Sequence, residues 1–305
     1  MTVIDSELDR VFDHIEALDP MSIRFDRVIR STYDQLYDGQ HTGRFTWDSL
    51  YKTEKTHFGT LVEINVQREF DFANGSVLDF SIEDVEVDCK FSQTPGGWML
   101  PPEVVGKLCL LVTSSDLLST FSVGLVRADD ALLNEGRNRD GKRTLNTIGR
   151  ESVRWLHFQR PLTENLLLHL TDEERYEIVT PASGQQRIYA LFRLVQQRVV
   201  TRTVVATVAR QSDYMKRVRD NGGARARLQP EGIVILGGYG KHAAVARALD
   251  LPVPPNGGFV SVRLAPAEVP GPGQVELDGR FWRVARPEDP VVEAPKLPTT
   301  RREAS

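Results

Sequence analysis

Val85-Glu-Val-Asp-Cys-Lys-Phe91 alternates strictly: Val85, Val87, Cys89 and Phe91 fall on one face of a strand, and Glu86, Asp88 and Lys90 on the other. The preceding segment, Val77–Ile82, reads as a second strand, with Leu78, Phe80 and Ile82 on one face and Asp79 on the opposite one. If Glu83-Asp84 is a two-residue hairpin turn, Ile82 faces Val85 and Asp79 lies across from Asp88; the turn lacks the glycine such turns favour. Two carboxylates opposed across strands repel each other and weaken a hairpin. A divalent cation between them removes that penalty, and oxygen donors of this kind suit Mg²⁺, which keeps several waters and takes one or two carboxylates. Lys90 shares the face of Asp88 and is placed to orient or activate an attacking water. The carbonyl of Cys89 is a further oxygen ligand, and Glu63, on the segment feeding these strands, can complete the cluster from the side. Taken alone, Asp-x-Lys on the wet face of a hairpin is more often a solvated ion pair than a catalytic one.

Upstream, Leu8, Val11, Phe12, Ile15 and Leu18 recur at helical spacing, and a second helix is expected from Ser22 to about Leu36. A polar stretch, Asp38 to Thr60, precedes a third helix over Thr60–Phe70, carried by Leu61, Ile64, Val66 and Phe70. Downstream, Lys107–Thr113 and Phe121–Arg127 read as strands, and a basic loop from Arg137 to Arg143, with Arg139 and Lys142, leads to a helix ending near Trp155. The expected organisation is a domain over residues 1–156, a linker at 157–164 around Pro161, and a second domain over 165–305 with a Pro-rich tail from Pro287.

The chain has 305 residues, long enough for two domains, and its 40% hydrophobic and 26% charged content is that of an ordinary globular protein. No apolar run spans a bilayer, so no membrane partner is expected. The acidic start lacks the features of a secretory signal, and both cysteines lie in apolar strand-like runs, which suits a reduced cytoplasmic setting. The net charge of −4 hides an asymmetry. Residues 1–155 carry 17 basic and 26 acidic side chains, or −9; residues 156–305 carry 21 and 16, or +5. An acidic half suits a cation and a basic half suits phosphate.

The basic half is expected to be mostly helical to about Asp220. Thr203–Ala209 reads as one short helix and Ser212–Arg219 as a second, capped by Ser212 and carrying Lys216, Arg217 and Arg219; Arg225 and Arg227 follow in a Gly-rich loop. Strands are expected at Gly232–Gly237 and Phe259–Leu264, with a hairpin across Asp278-Gly279 that ends in Phe281–Val284. Helix, tight turn, basic helix, then strands is the order of a winged helix-turn-helix, though a basic helix face is as often merely solvated. Gly237-Gly-Tyr-Gly-Lys241 lacks the spacing of a phosphate loop and reads as a strand-to-helix turn.

The acid, spacer, Asp-x-Lys arrangement resembles the PD-(D/E)xK nuclease superfamily, and the longer context resembles NaeI-type restriction endonucleases. The segments that carry the likeness are Lys52-Thr-Glu-Lys-Thr-His57, Leu61-Val-Glu-Ile-Asn-Val-Gln-Arg-Glu-Phe70, Val87-Asp-Cys-Lys-Phe91, Trp98-Met-Leu-Pro-Pro-Glu103 and Glu164-Asn-Leu-Leu-Leu-His169. Met215-Lys-Arg-Val-Arg219, Gly222-Gly-Ala-Arg225, Pro230-Glu-Gly-Ile233 and Pro290-Val-Val-Glu-Ala-Pro295 extend it towards the C-terminus. The resemblance implies an α/β fold: a PD-(D/E)xK endonuclease domain, its mixed sheet flanked by helices, followed by a topoisomerase-like domain with a catabolite-activator-like winged helix-turn-helix. It places Glu63, Asp79, Asp88 and Lys90 on the catalytic positions. It further implies a homodimer that cuts double-stranded DNA at a palindromic site with Mg²⁺, activated by a second DNA copy. A nicking repair nuclease, or a DNA-binding regulator on an inactive nuclease fold, are the competing readings; the intact acidic set and Lys90 argue against the latter. Leu36-Tyr-Asp-Gly-Gln-His41 resembles the lysine-nucleotide box of ATP-dependent DNA ligases with leucine in place of the nucleophilic lysine, so nucleotidyl transfer is not expected and a turn is.

Overall fold

The turn at Glu83-Asp84 sets the geometry of the first sheet. In the computed structural model, which describes residues 5–298, both turn residues have positive φ, 51° and 61°. That is the type I′ conformation whose twist matches antiparallel strands, reached here without glycine. His14 Nδ1 lies 2.8 Å from the Glu83 carboxylate and holds the turn from the side. The pairing is Ile82 with Val85, Ser81 with Glu86 and Phe80 with Val87, the register expected from the alternation.

Two units make up the chain. The first comprises residues 1–37 and 46–165, and the second residues 38–45 and 166–305. The helices ahead of the first sheet are α1 (Ser6–Leu18), α2 (Ile23–Tyr37), α3 (Gly39–Thr42), which groups with the second unit, and α4 (Lys52–Phe70). The first sheet then runs β1 (Ala73–Asn74), β2 (Phe80–Ile82), β3 (Val85–Ser92), β4 (Leu108–Ser115), β5 (Thr120–Arg127) and β6 (Arg154–Pro161), in that spatial order. Only β3 and β4 are parallel. The connection between them carries Trp98, whose indole N–H donates to the Val112 carbonyl at 2.9 Å. Helix α5 (Thr147–Glu151) precedes β6.

Both faces of the central strands are covered, which explains the unbroken apolar run Leu108–Val112. On one face Val87, Cys89, Leu110, Val112, Val123 and Leu125 pack with Val28, Ile29 and Tyr33 of α2 and Phe58, Val62 and Val66 of α4. On the other, Cys109, Leu111 and Val126 pack with Trp98, Leu100, Leu133 and Leu145. Cys89 and Cys109 are free, buried and on opposite faces.

Several expectations are corrected. Helix α4 starts eight residues before Thr60, its first turn closed by a hydrogen bond from Tyr51 N to the Glu54 carboxylate at 2.8 Å. Residues 77–79 are a bend and not strand. The helix expected to end near Trp155 is the five-residue α5, and the stretch expected as a linker, 157–164, is in large part the edge strand β6. Irregular pairing between β5 and β6, with shifts at Phe121/Val123 and Val123/Gly124, breaks the two-residue period that would have marked β6 as strand. After α2 the chain turns at the single residue Asp38 (φ 46°), so the ligase-like stretch is the end of α2, this turn and the start of α3.

The second unit continues with α6 (Asp172–Val179), α7 (Gly184–Leu194), α8 (Arg202–Ala209) and α9 (Ala224–Leu228). The second sheet and its helix follow: β7 (Ile233–Gly237), α10 (Gly240–Ala248), β8 (Phe259–Ala267), β9 (Gln274–Leu277) and β10 (Arg280–Val284). The sheet order is β7-β8-β10-β9, all antiparallel, and Asp278-Gly279 forms the expected hairpin turn with φ of 49° and 69°. The basic helix expected over Ser212–Arg219 is instead a 3-10 stretch, Tyr214–Val218, entered at Asp213 and not capped by Ser212. Gly222 and Gly223 follow closely and favour a break over a continuing helix, and Asp213 holds Arg217 at 3.1 Å. The tail from Pro287 has no regular structure up to residue 298, but Ala294 is buried and pairs with Gln229; the remainder lies outside the described residues. No helix among the described residues is long and apolar enough to cross a membrane.

Candidate active site

Strand β3 brings Asp88 and Lys90 to one face, and the bend before β2 brings Asp79 to them. Lys90 Nζ lies 2.6 Å from Asp88 Oδ2 and 3.6 Å from Asp79 Oδ2, and donates to the Cys89 carbonyl at 3.0 Å. Asp79 Oδ2 in turn accepts the Cys89 backbone N–H at 2.7 Å. The chain leaves the sheet at Asp79, so its carboxylate curls onto the β3 backbone opposite Asp88 instead of standing in the ladder.

The electrostatics follow from depth. Asp88 is 4% exposed, and burial pushes its carboxyl up to about 6 against the pull of the Lys90 ammonium. Burial opposes the charge on Lys90 too, yet Asp88 and Asp79 outweigh it and hold the ammonium above its ordinary value. Glu63 on α4 is raised by burial and by the Asp79 charge, with Lys90 acting the other way. Glu63 therefore shares the field of the cluster. Asp88 Oδ2 is buried and, although close to Lys90 Nζ, makes no hydrogen bond of proper geometry.

Glu86 has a different role from the one its place on the Asp88 face suggests. Its Oε1 accepts from Ser76 N at 2.6 Å and Ser76 Oγ at 2.7 Å; its Oε2 accepts from Val77 N at 3.1 Å and Leu78 N at 2.7 Å. Those donors hold the carboxyl down at about 2. Gly75 permits the approach, since a Cβ there would lie 2.9 Å from Glu86 Oε2 and closer still to the Leu78 carbonyl. This tether converts 77–79 from strand to bend and fixes the residue next in line, Asp79. The sequence signal for it was Asn74-Gly-Ser76, a turn-forming run just where a strand was expected to begin.

Comparison with known proteins gives the family. The chain matches the family model for restriction endonuclease NaeI over residues 9–293. It belongs to the NaeI family of restriction endonucleases. Type II restriction enzyme NaeI of Lentzea aerocolonigenes is 48% identical to it over 303 residues, which covers 96% of this chain and 95% of the relative. The mixed α/β architecture, a mixed sheet flanked by helices, fits a nuclease fold.

NaeI-family enzymes, as restriction endonucleases, hydrolyse DNA, and enzymes of this class generally use divalent metal ions. Among the described residues no group of three or more His, Cys, Asp or Glu side chains is placed to hold a metal ion by itself. The donor set still fits a hard cation that keeps its waters: two carboxylates, one with an oxygen lacking a hydrogen bond, beside a backbone carbonyl. The basic residues singled out from the sequence divide into two groups. Arg143 is buried and paired with Asp130 at 2.5 Å, Arg217 is held by Asp213, Arg227 by Glu231, and Arg225 donates to the Ile235 carbonyl at 2.9 Å. Arg137, Arg139, Lys216 and Arg219 are exposed and Lys142 half-buried, with no acidic partner among the described residues.

Proposed function

We propose that this chain is a site-specific type II restriction endonuclease that hydrolyses the phosphodiester bonds of double-stranded DNA. Asp79 and Asp88 are the residues that would hold Mg²⁺, with the Cys89 carbonyl and, from the side, Glu63. The observation that carries the reading is the convergence of Asp79 and Asp88 on Lys90, each within 3.6 Å of its Nζ, in a chain that matches a restriction endonuclease family over residues 9–293. Bound there, Mg²⁺ would supply Lewis acidity towards the scissile phosphate. Lys90, kept protonated by two carboxylates, acts as a hydrogen-bond donor that orients the attacking water and offsets charge on the phosphate. Asp79 is held to the β3 backbone by the Cys89 N–H, so its free oxygen keeps a fixed direction.

The finer reading follows the family resemblance: a homodimer acting on a palindromic site in the cytoplasm, the second unit binding a further DNA copy that activates cleavage. The +5 charge of residues 156–305 supports DNA contact by that half. The reading does not depend on a winged helix-turn-helix, because the exposed cations Lys216, within the 3-10 stretch, and Arg219, just after it, can reach phosphates from there.

Incubation with Mg²⁺ and unmethylated genomic DNA, with the fragment ends sequenced, should return one short recurrent sequence at every cut and nothing in chelator. Random ends, or full activity in chelator, would overturn the proposal. Separately, a Lys216→Ala, Arg219→Ala double variant should flatten the dependence of log affinity on log salt by about 1.8, or about 0.9 for each phosphate no longer neutralised. Arg225→Ala should instead lower stability, because it removes the donor to the Ile235 carbonyl. An unchanged salt slope in the double variant would assign DNA binding to other residues.

A further inference from the structure

Beside the cluster, on the same face of the first sheet, lies a cavity of about 450 Å³ that the cleavage chemistry does not use. The register fixes where it sits. Lys90 neighbours Leu111, which faces Gly124, which faces Trp155, so these four form one row across β3 to β6 on a single face. Two residues further along, Ser92, Thr113 and Ser122 form the next row, and Thr113 and Ser122 line the cavity. It therefore opens about 7 Å along the strand from Lys90, at about 3.3 Å per residue. That offset matches roughly two base steps at 3.4 Å each.

Its lining is aromatic with a few polar groups: Trp98, Trp155 and Phe158, with Gln93, Gln159 and Arg150. The rings of Trp155 and Phe158 touch, their centroids 5.1 Å apart, and Phe158 is 57% exposed. Gly124 makes room for this arrangement, since a Cβ there would meet Trp155 at 2.9 Å and Val153 at 2.5 Å. Neither glutamine side-chain amide forms a hydrogen bond among the described residues, so each keeps a donor and an acceptor to offer. Leu117 and Leu118, at the tip of the β4–β5 turn, are 66% and 71% exposed, and Leu118 also lines the cavity.

A planar ring with donors and acceptors on its edge is the ligand that aromatic walls and free amides recognise. A base inside a duplex stack cannot enter a concave pocket, whereas an unstacked one can, and exposed leucines are the side chains that wedge into a base step. We infer that this cavity takes one unstacked base of the DNA substrate, with the Leu117–Leu118 tip filling the step it vacates. The inference rests on the reading of the Asp79–Asp88–Lys90 cluster as the site of DNA cleavage.

The test is an abasic scan of the mapped cleavage site with full-length protein and Ca²⁺ in place of Mg²⁺, in wild type, Trp155→Ala and Phe158→Ala. At one position, removing the base should weaken wild-type binding about tenfold and that of each variant by no more than about twofold. Trp fluorescence should be quenched on binding intact duplex, and the quench should be absent in Trp155→Phe. Phe158 is exposed, so its variant keeps the test alive if Trp155→Ala does not fold. A scan whose profile is the same in wild type and Phe158→Ala, with no quench assignable to Trp155, would overturn the inference. If wild-type protein fails to cut DNA with Mg²⁺, the underlying functional reading fails instead, and that is scored before the scan.

Discussion

Asp88→Ala and Lys90→Ala should each lower the single-turnover cleavage rate by at least about 10³-fold, the scale of several kcal/mol of lost transition-state stabilisation. Duplex affinity measured with Ca²⁺ should stay within a few-fold of wild type. The two residues fail for different reasons. Without Asp88 the site loses its most buried carboxylate, the one whose Oδ2 lies 2.6 Å from the Lys90 ammonium but makes no hydrogen bond of proper geometry. Asp88→Asn keeps the volume and removes the charge, so it should be as inactive as the alanine variant. Without Lys90, the Asp88 carboxyl, already pushed up to about 6 by burial, loses the ammonium that pulls it down, so more of it is protonated near neutral pH. Lys90→Ala should therefore recover part of its activity as pH rises, and Asp88→Ala should not. The measurement is a pH series of single-turnover rates with binding checked in parallel. Either variant cutting within tenfold of wild type under Mg²⁺ would sink the assignment of the cluster.

The cluster was legible in the sequence because the period of a strand is two. Once Val85, Val87 and Cys89 face a core, Asp88 and Lys90 must share the other side, and the two-residue turn brings the chain back towards them; the bend that delivers Asp79 depends on the Glu86 tether, which the alternation does not show. The second sheet was legible for a different reason: glycines and prolines punctuate its strands, and Asp278-Gly279 marks its hairpin. What the sequence concealed was tertiary. Strand β6 carries Arg154 through Pro161 at a sheet edge, where irregular pairing scrambles the alternation, so that it passes for a linker. The start of α4, Lys52-Thr-Glu-Lys-Thr-His57, has no apolar face, and Phe58 alone announces the i, i+4 series Phe58, Val62, Val66, Phe70 that the core buries. The stretch from Ser212 to Arg219 has helical composition, but glycines follow it closely and it forms a 3-10 turn.

Glu86 is where the sequence reading and the structure part most instructively, and it yields the second large effect. It touches no reacting group, yet Glu86→Gln should lower kcat by about 10²-fold, the cost of misplacing a catalytic group by about 1 Å. Both of its carboxylate oxygens face only donors: Ser76 N and Oγ on one, Val77 N and Leu78 N on the other. A glutamine must turn its NH₂ towards one of those sets, so either rotamer sets donor against donor. Residues 76–78 are then released, and Asp79, next in the chain, loses its fixed angle to the Cys89 N–H. A positioning role predicts a split that a general loss of fold does not. The Mg²⁺ concentration for half-maximal rate should rise, because Asp79 no longer meets Asp88 at a set distance, while duplex affinity in Ca²⁺ holds. Ser76→Ala, which removes a single one of the four hydrogen bonds, should show the same split at a fraction of its size. The pH dependence has a definite sign. The folded carboxyl is depressed from 4.5 to about 2, so the tether's contribution is complete above pH 4.5 and fades only as pH falls towards 2. Assays at neutral pH therefore see the tether whole in wild type, and no rise in pH should rescue Glu86→Gln. A variant that cuts at the wild-type rate with an unchanged Mg²⁺ requirement would show that Asp79 keeps its place without Glu86.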